Sequence, residues 1–266
     1  MMIEFTKMEG AGNDYIYVDT LRSPFPVERA AELARSWSNR NFGIGADGLI
    51  LLQRGTAAPV RMAMWNADGS RGAMCGNGLR CLARLAKDHG HVAEPSFIVE
   101  TDAGNRAVTL LAGDLVLTDM GPVRCRPPIA VTIDDQRLEY IPGDAGNPHA
   151  VVFVPAVDHC DVARWGTAMQ RRSDLFPDSV NVEFVEVLGA AELRQRTFER
   201  GSGETLACGT GAAVAALAAR QTGRCIGHSI LVHLRGGSLR VLLDQSSLAI
   251  EGPARTVFTG RIALPT

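Results

Sequence analysis

Lysine is almost missing from this chain. Lys7 and Lys87 are the only lysines among 27 basic residues, so an enzyme using a pyridoxal-phosphate Schiff base would have to use one of those two. An excess of one charge is missing as well. The formal charge is −2, which leaves no electrostatic footprint for nucleic acid or an anionic membrane. No apolar run is long enough to cross a bilayer. The opening MMIEFTKMEGAGND has neither the basic stretch nor the apolar core of a secretory signal. The expectation is a cytoplasmic protein with no membrane and no nucleic-acid partner. Six cysteines are present, but none are spaced C-x-x-C, which argues against a zinc ribbon or a thioredoxin-like motif. In a reducing compartment they are not expected to form a disulfide framework.

What the chain does have is 266 residues with 46% hydrophobic content, enough to bury the cores of two modest domains. It also repeats itself. Ala11-Gly12-Asn13 is echoed by Ala145-Gly146-Asn147 at an offset of 134. Cys75-Gly76-Asn77-Gly78 is echoed by Cys208-Gly209-Thr210-Gly211, and Ala103-Gly104 by Gly236-Gly237, both at 133. The spacing predicts a duplicated half of about 130 residues and two similar domains. The first is expected over residues 1–121 and the second over 122–255, with the boundary at Gly121-Pro122 and a last strand, 256–264, crossing back to the first domain.

Enrichment in Val, Ile, Leu and aromatics between Gly, Pro or Asp predicts strands over 3–8, 14–19, 48–53, 60–65, 96–101, 106–112 and 115–119. In the second half it predicts them over 138–142, 150–154, 180–187, 195–200, 229–234, 238–243 and 247–251. Helices are expected over 27–38, 76–89, 161–171 and 209–222, with Gly90 and Gly223 as stops. The segment after Cys208 contains AAVAALAA, apolar all round, so that helix should be buried all round. The fold class is therefore α+β: two domains with a pseudo-twofold relation, each a mostly antiparallel sheet or barrel wrapped around a central helix.

Cys75 and Cys208 occupy matched positions after a loop and at the start of a predicted helix. A helix N-terminus has unpaired N–H groups and a partial positive charge, which favour a thiolate. The neighbouring glycines let backbone approach a ligand, and two such N-termini can hold a substrate α-carboxylate between the thiols. Inverting a stereocentre needs one base on one face of a carbon and one acid on the other, and a matched thiol pair supplies both. Cys81, Cys125, Cys160 and Cys225 have no such setting and are read as small buried hydrophobes.

Several segments resemble diaminopimelate epimerases. They are Lys7-Met8-Glu9-Gly10-Ala11-Gly12-Asn13-Asp14, Asn66-Ala67-Asp68-Gly69-Ser70, Met74-Cys75-Gly76-Asn77-Gly78, Gly146-Asn147-Pro148-His149, Val180-Asn181-Val182, Glu199-Arg200-Gly201, Gly203-Glu204-Thr205 and Ala207-Cys208-Gly209-Thr210-Gly211. The resemblance implies that LL-2,6-diaminopimelate is converted to the meso isomer without cofactor or metal, in a cleft between the two domains, for lysine and peptidoglycan precursors. It implies Cys75 and Cys208 as the bases, supported by His149 and Glu199. Gly76-Asn77 and Gly209-Thr210 would cradle the α-carboxylate, with Asn13, Asn66, Asn147, Asn181, Glu199 and Arg200 as further substrate contacts. A homodimer is also implied, although no interface is legible in the residues.

One departure stands out. Gly48 occupies a position where some relatives place a substrate-contacting Gln. The alternative within the same superfamily is a two-cysteine racemase for another amino acid, such as histidine or proline. Arg200 and the asparagines favour a substrate with a second carboxylate and ammonium. An isomerase with one catalytic residue and a cysteine hydrolase each leave one thiol unused, and an amino-acid binding protein without turnover needs neither, since the amides alone can hold a carboxylate.

Overall fold

In the computed structural model, residues 1–244 and 248–265 are described. The chain divides into two compact units, Met1–Thr118 with Gly252–Thr266, and Asp119–Glu251. No helix among the described residues is long and apolar enough to cross a membrane.

The first unit opens with strands β1 (Met2–Gly10) and β2 (Asn13–Asp19), joined by a two-residue turn. Ala11 at φ 55 and Gly12 at φ 82 give that turn the left-handed pair that suits the twist of a tight hairpin. Helix α1 (Ala30–Ser38) comes next, then β3 (Gly48–Arg54), β4 (Val60–Asn66) and the short β5 (Arg71–Gly72). Helix α2 (Gly76–Asp88) leads to β6 (Ser96–Glu100), β7 (Arg106–Leu110) and β8 (Leu115–Asp119).

Strands β2 and β3 pair in parallel and β3 and β4 antiparallel. Side chains alternate across this sheet. Ile16, Val18, Leu49 and Leu51 pack with Leu33 and Trp37 of α1, whereas Tyr15, Tyr17, Ile50 and Leu52 pack with Leu79, Leu82 and Leu85 of α2. Burial on both faces explains why β3 reads as an unbroken apolar run.

The second unit repeats this wiring. It holds β9 (Arg124–Cys125), β10 (Ile129–Ile133), β11 (Gln136–Asp144), β12 (Pro148–Phe153), α3 (Val162–Gln170), β13 (Asn181–Gly189), β14 (Glu192–Glu199) and β15 (Gly203–Thr205). These are followed by α4 (Gly209–Gln221), β16 (Ser229–Leu234), β17 (Gly237–Leu243) and β18 (Leu248–Pro253), and then by β19 (Arg255–Ala263), which pairs antiparallel with β1. Strand β12 is parallel to β13, and β13 antiparallel to β14, matching β2, β3 and β4. Val152, Val182 and Phe184 face the α3 layer, so the alternate residues His149, Asn181 and Glu183 project to the face that carries α4. Helix α4 is buried nearly throughout, as its apolar circumference requires.

Both central helices end alike. The N–H of Gly90 bonds the carbonyl of Lys87 and that of His91 the carbonyl of Ala86; Gly223 and Arg224 do the same to Arg220 and Ala219. The two glycines lie at φ 77 and 69, the left-handed position that closes a helix. Two expectations needed correction. The helix expected from residue 27 begins as a 3-10 turn, Val27–Arg29, and becomes α-helical only at Ala30, because Pro26 precedes it and no side chain caps it. Strand β10 was unforeseen; it forms a hairpin with β11 through Asp134 and Asp135, both at positive φ.

Candidate active site

Each candidate cysteine is the N-cap of its unit's central helix. Cys75 has extended backbone, φ −133 and ψ 121, and its Sγ accepts the N–H of Gly78 at 3.4 Å. Cys208 sits at φ −121 and ψ 108, and its Sγ accepts the N–H of Gly211 at 3.4 Å. Helix geometry leaves the first-turn N–H groups of Gly76, Asn77, Gly209 and Thr210 without intrahelical acceptors, so each thiol lies at the mouth of an anion-attracting turn.

In the first unit the hairpin delivers Asn13 to Cys75. The thiol donates to Asn13 Oδ1 at 3.2 Å, while Asn13 Nδ2 donates to Asp47 Oδ2 at 2.6 Å. Asp47 therefore orients the amide with its oxygen toward sulfur. Burial, then the nearby Asp14 carboxylate, push the Asp47 carboxyl up. At Asp14 burial is overcome by hydrogen bonds from Arg40 and Lys7, and the carboxyl is held low; the Lys7 ion pair spans 2.7 Å.

Asn77 is 2% exposed, and its Oδ1 accepts Arg80 Nη2 at 2.6 Å. Arg80 is completely buried inside α2 and also donates to the carbonyl of Pro253 at 3.2 Å. Its hold on the Asn77 side chain was not foreseen, although an arginine on the apolar side of a buried helix is the signal that could have found it. Asn66 is not drawn into this set: its Nδ2 donates to Ser70 Oγ at 2.9 Å within a tight turn. Gly48 pairs with Asn66 across β3 and β4, and a Cβ there would lie 2.2 Å from the carbonyl oxygen of Trp65. This backbone has no room for the Gln side chain that some relatives carry.

In the second unit a buried chain of polar groups runs beneath α4. Asn147 Oδ1 accepts His149 Nε2 at 2.9 Å, and His149 Nδ1 meets Glu183 Oε1 at 2.8 Å. Both the His149 and Glu183 side chains are wholly buried. Burial pushes the Glu183 carboxyl up and His149 opposes the shift. Gly211 exists as glycine because a Cβ would meet Glu183 Oε1 at 2.6 Å. Glu183 was absent from the expected site, yet strand periodicity places it on the face of Asn181, two residues earlier.

Glu199 accepts the Thr205 hydroxyl at 2.5 Å. Burial raises its carboxyl, with the Glu183 carboxylate adding to the rise and Thr205 opposing it. Asn181 Oδ1 accepts the backbone N–H of Arg200 at 2.8 Å, and the Arg200 guanidinium donates to the Asp178 carbonyl at 2.9 Å. Thr210 Oγ1 lies 3.4 Å from the Cys208 sulfur.

The expectation of a lowered thiol fails at Cys208. Burial, then the carboxylates of Glu199 and Glu183, push it well above the ordinary thiol value, against the bonds from Thr210 and Gly211. Low dielectric and two negative neighbours outweigh one helix N-terminus. In the first unit, burial holds the Arg80 guanidinium below its ordinary value, and the neighbouring Cys81 and Cys75 sulfurs oppose that shift. None of the six cysteines is joined in a disulfide. Burial pushes Cys81 and Cys125 up to about 12 and raises Cys160 and Cys225, the behaviour of packed, unreactive thiols.

Strands wrapped about a central helix, twice over, define a recurring α+β fold. It is shared with a Bacillus anthracis phenazine biosynthesis protein of the PhzF family, at TM-score 0.77 and 15% identity, covering 99% of this chain and 100% of that one. It is shared too with an Agrobacterium vitis hydroxyproline epimerase, at TM-score 0.71 and 18% identity, covering 99% and 93%. These likenesses establish the fold. Within it, the family profile described as diaminopimelate epimerase matches residues 5–125 and 143–257. Diaminopimelate epimerase of Desulfovibrio desulfuricans is 40% identical over 97% of both chains, and that of Geobacillus thermodenitrificans 42% identical over 96% of this chain and 95% of its own. The chain belongs to the diaminopimelate epimerase family.

Proposed function

We propose that this enzyme epimerises LL-2,6-diaminopimelate to the meso isomer, with Cys75 and Cys208 as the acid–base pair. It is an isomerase of lysine biosynthesis. The supporting observation is the matched capping of two buried helices by two thiols, each 3.4 Å from the N–H three residues on. The relatives named above favour diaminopimelate over another amino acid.

In this reading the two first turns, Gly76-Asn77 and Gly209-Thr210, receive the α-carboxylate. Their N–H groups also stabilise the negative charge that spreads onto it when the α-carbon loses its proton. One sulfur takes that proton and the other returns one to the opposite face. Burial and the carboxylates beside Cys208 favour its thiol form, which suits it to the acid role in one direction, with Cys75 as the base. In the reverse direction the roles exchange. Asp47 keeps the Asn13 oxygen toward Cys75, and His149 keeps Asn147 in place. Arg200, tethered at Asp178 and Asn181, offers its remaining donors to the distal carboxylate. A cytoplasmic location suits the mechanism, because it keeps both thiols reduced.

The test is proton NMR of the reduced enzyme with LL-diaminopimelate in deuterated water. Loss of the α-proton signal together with appearance of the meso isomer is expected. Absence of exchange with both thiols reduced would overturn the assignment.

A further inference from the structure

We propose that Asp19, His89 and His91 form a binding site for a divalent transition metal, of the zinc or cobalt type, that clamps the far end of helix α2. Asp19 closes strand β2 and is 7% exposed. Its Oδ1 accepts the N–H of Leu21 at 2.9 Å. Its Oδ2 lies 2.7 Å from His89 Nδ1 and 2.6 Å from His91 Nε2, and the three ligand atoms lie within 4.8 Å of one another. Two imidazoles and a carboxylate converging on one point are the donor set of a three-ligand zinc site with an open fourth position. A tetrahedral ion with bonds of about 2.0 Å holds its ligand atoms about 3.3 Å apart, so the two oxygen–nitrogen separations of 2.7 and 2.6 Å would open by about 0.6–0.7 Å to admit it. The dication would replace the two ring protons that now share one carboxylate oxygen.

The backbone is prepared for this. His89 is the C-cap of α2 and His91 lies two residues beyond it, with their N–H groups bonded to the carbonyls of Leu85 and Ala86, each at 2.9 Å. The two rings stand edge to face with centroids 6.2 Å apart. The negative end of the helix dipole lies here and favours a cation. The ring side chains keep 22% and 18% of their exposure, so an ion can arrive from solvent. A cavity of about 520 Å³, lined by Asp19, His89, Tyr17 and Arg22 among others, lies alongside and gives a fourth ligand, water or a small anion, somewhere to sit. The site shares no residue with the two sulfur centres and stands independently of the proposed reaction.

The experiment is titration of the reduced, chelator-dialysed full-length protein with cobalt(II), read by visible absorption. One equivalent should bind with ligand-field bands and without the sulfur-to-cobalt charge-transfer band that ligation by Cys75 or Cys208 would add. Zinc should displace it. His91→Ala should weaken binding at least about tenfold. A measurement without substitution accompanies it: on zinc titration of the unaltered protein, the ring resonances of two of the six histidines should shift together. No ligand-field bands at excess cobalt, a spectrum due to thiolate alone, or histidine resonances that do not respond to zinc would overturn the proposal. So would unchanged affinity in a folded His91→Ala protein.

Discussion

Glu183 offers the sharpest quantitative test of the second unit. Its carboxyl and the His149 ring are both wholly buried, 2.8 Å apart, and Glu183 Oε2 has no protein partner. Truncation by Glu183→Ala removes one member of a buried pair and leaves the other uncompensated, a loss of about 3–5 kcal/mol. Glu183→Gln keeps the volume. With Nε2–H of His149 committed to Asn147, Nδ1 can accept from the new amide, so the loss should be only about 1–2 kcal/mol. Urea unfolding at neutral pH measures both. Glu183 also helps to raise the Cys208 thiol, so the Gln variant should alkylate faster at Cys208 than the parent at the same pH. Equal destabilisation by Ala and Gln, or less than about 1 kcal/mol for either, would refute the buried-pair account. An unchanged alkylation rate would remove Glu183 from the electrostatics of the thiol.

Cys75→Ser and Cys208→Ser should each lower epimerisation by at least about a hundredfold, since a positioned acid or base contributes roughly 10²–10⁴; steady-state assay of either variant at full rate would end the two-sulfur reading. Gly48→Gln should not restore the relatives' contact but destabilise the first unit by about 1–3 kcal/mol through overpacking, seen as a lower urea midpoint. Cys81 predicts an alkaline weakness. Its folded value, about 12 against an ordinary 9.0, means the folded state holds the proton more tightly. That stability is present below pH 9 and is lost as pH rises toward 12, at about 1.4 kcal/mol per pH unit. Cys81→Ala should flatten the decline in urea stability between pH 9 and 10.

Much of the site was legible because chemistry and local structure coincide in the sequence. A glycine-flanked cysteine before an apolar helix places the thiol at the helix N-terminus, and the repeat locates its twin. The strands of β2, β3, β12 and β13 follow from β-branched runs between glycines and prolines. Helix stops at Gly90 and Gly223 follow from the need for a left-handed residue. What escaped depends on contacts distant in sequence. Glu183 and Arg80 look like ordinary charged residues until the sheet and the helix bury them. The raised Cys208 thiol needs two carboxylates to converge from β13 and β14, and spacing along the chain does not report their approach. Strand β10 was hidden because its turn uses Asp134-Asp135 in place of the usual Asn-Gly pair. Asn66 was read by motif, and its local turn with Ser70 appears only in three dimensions.

The capping geometry has an evolutionary consequence. Cysteine is not among the residues that best begin a helix; serine, asparagine and aspartate are. At positions 75 and 208 a mutation toward those residues would make each central helix start more firmly while abolishing the proposed proton transfer. Selection for thermal resistance alone should therefore drive both sites toward Ser or Asp, and a stabilised lineage would lose turnover before it lost shape. Sulfur at two cap positions at once, where folding alone would favour an oxygen-bearing cap, is a mark of function.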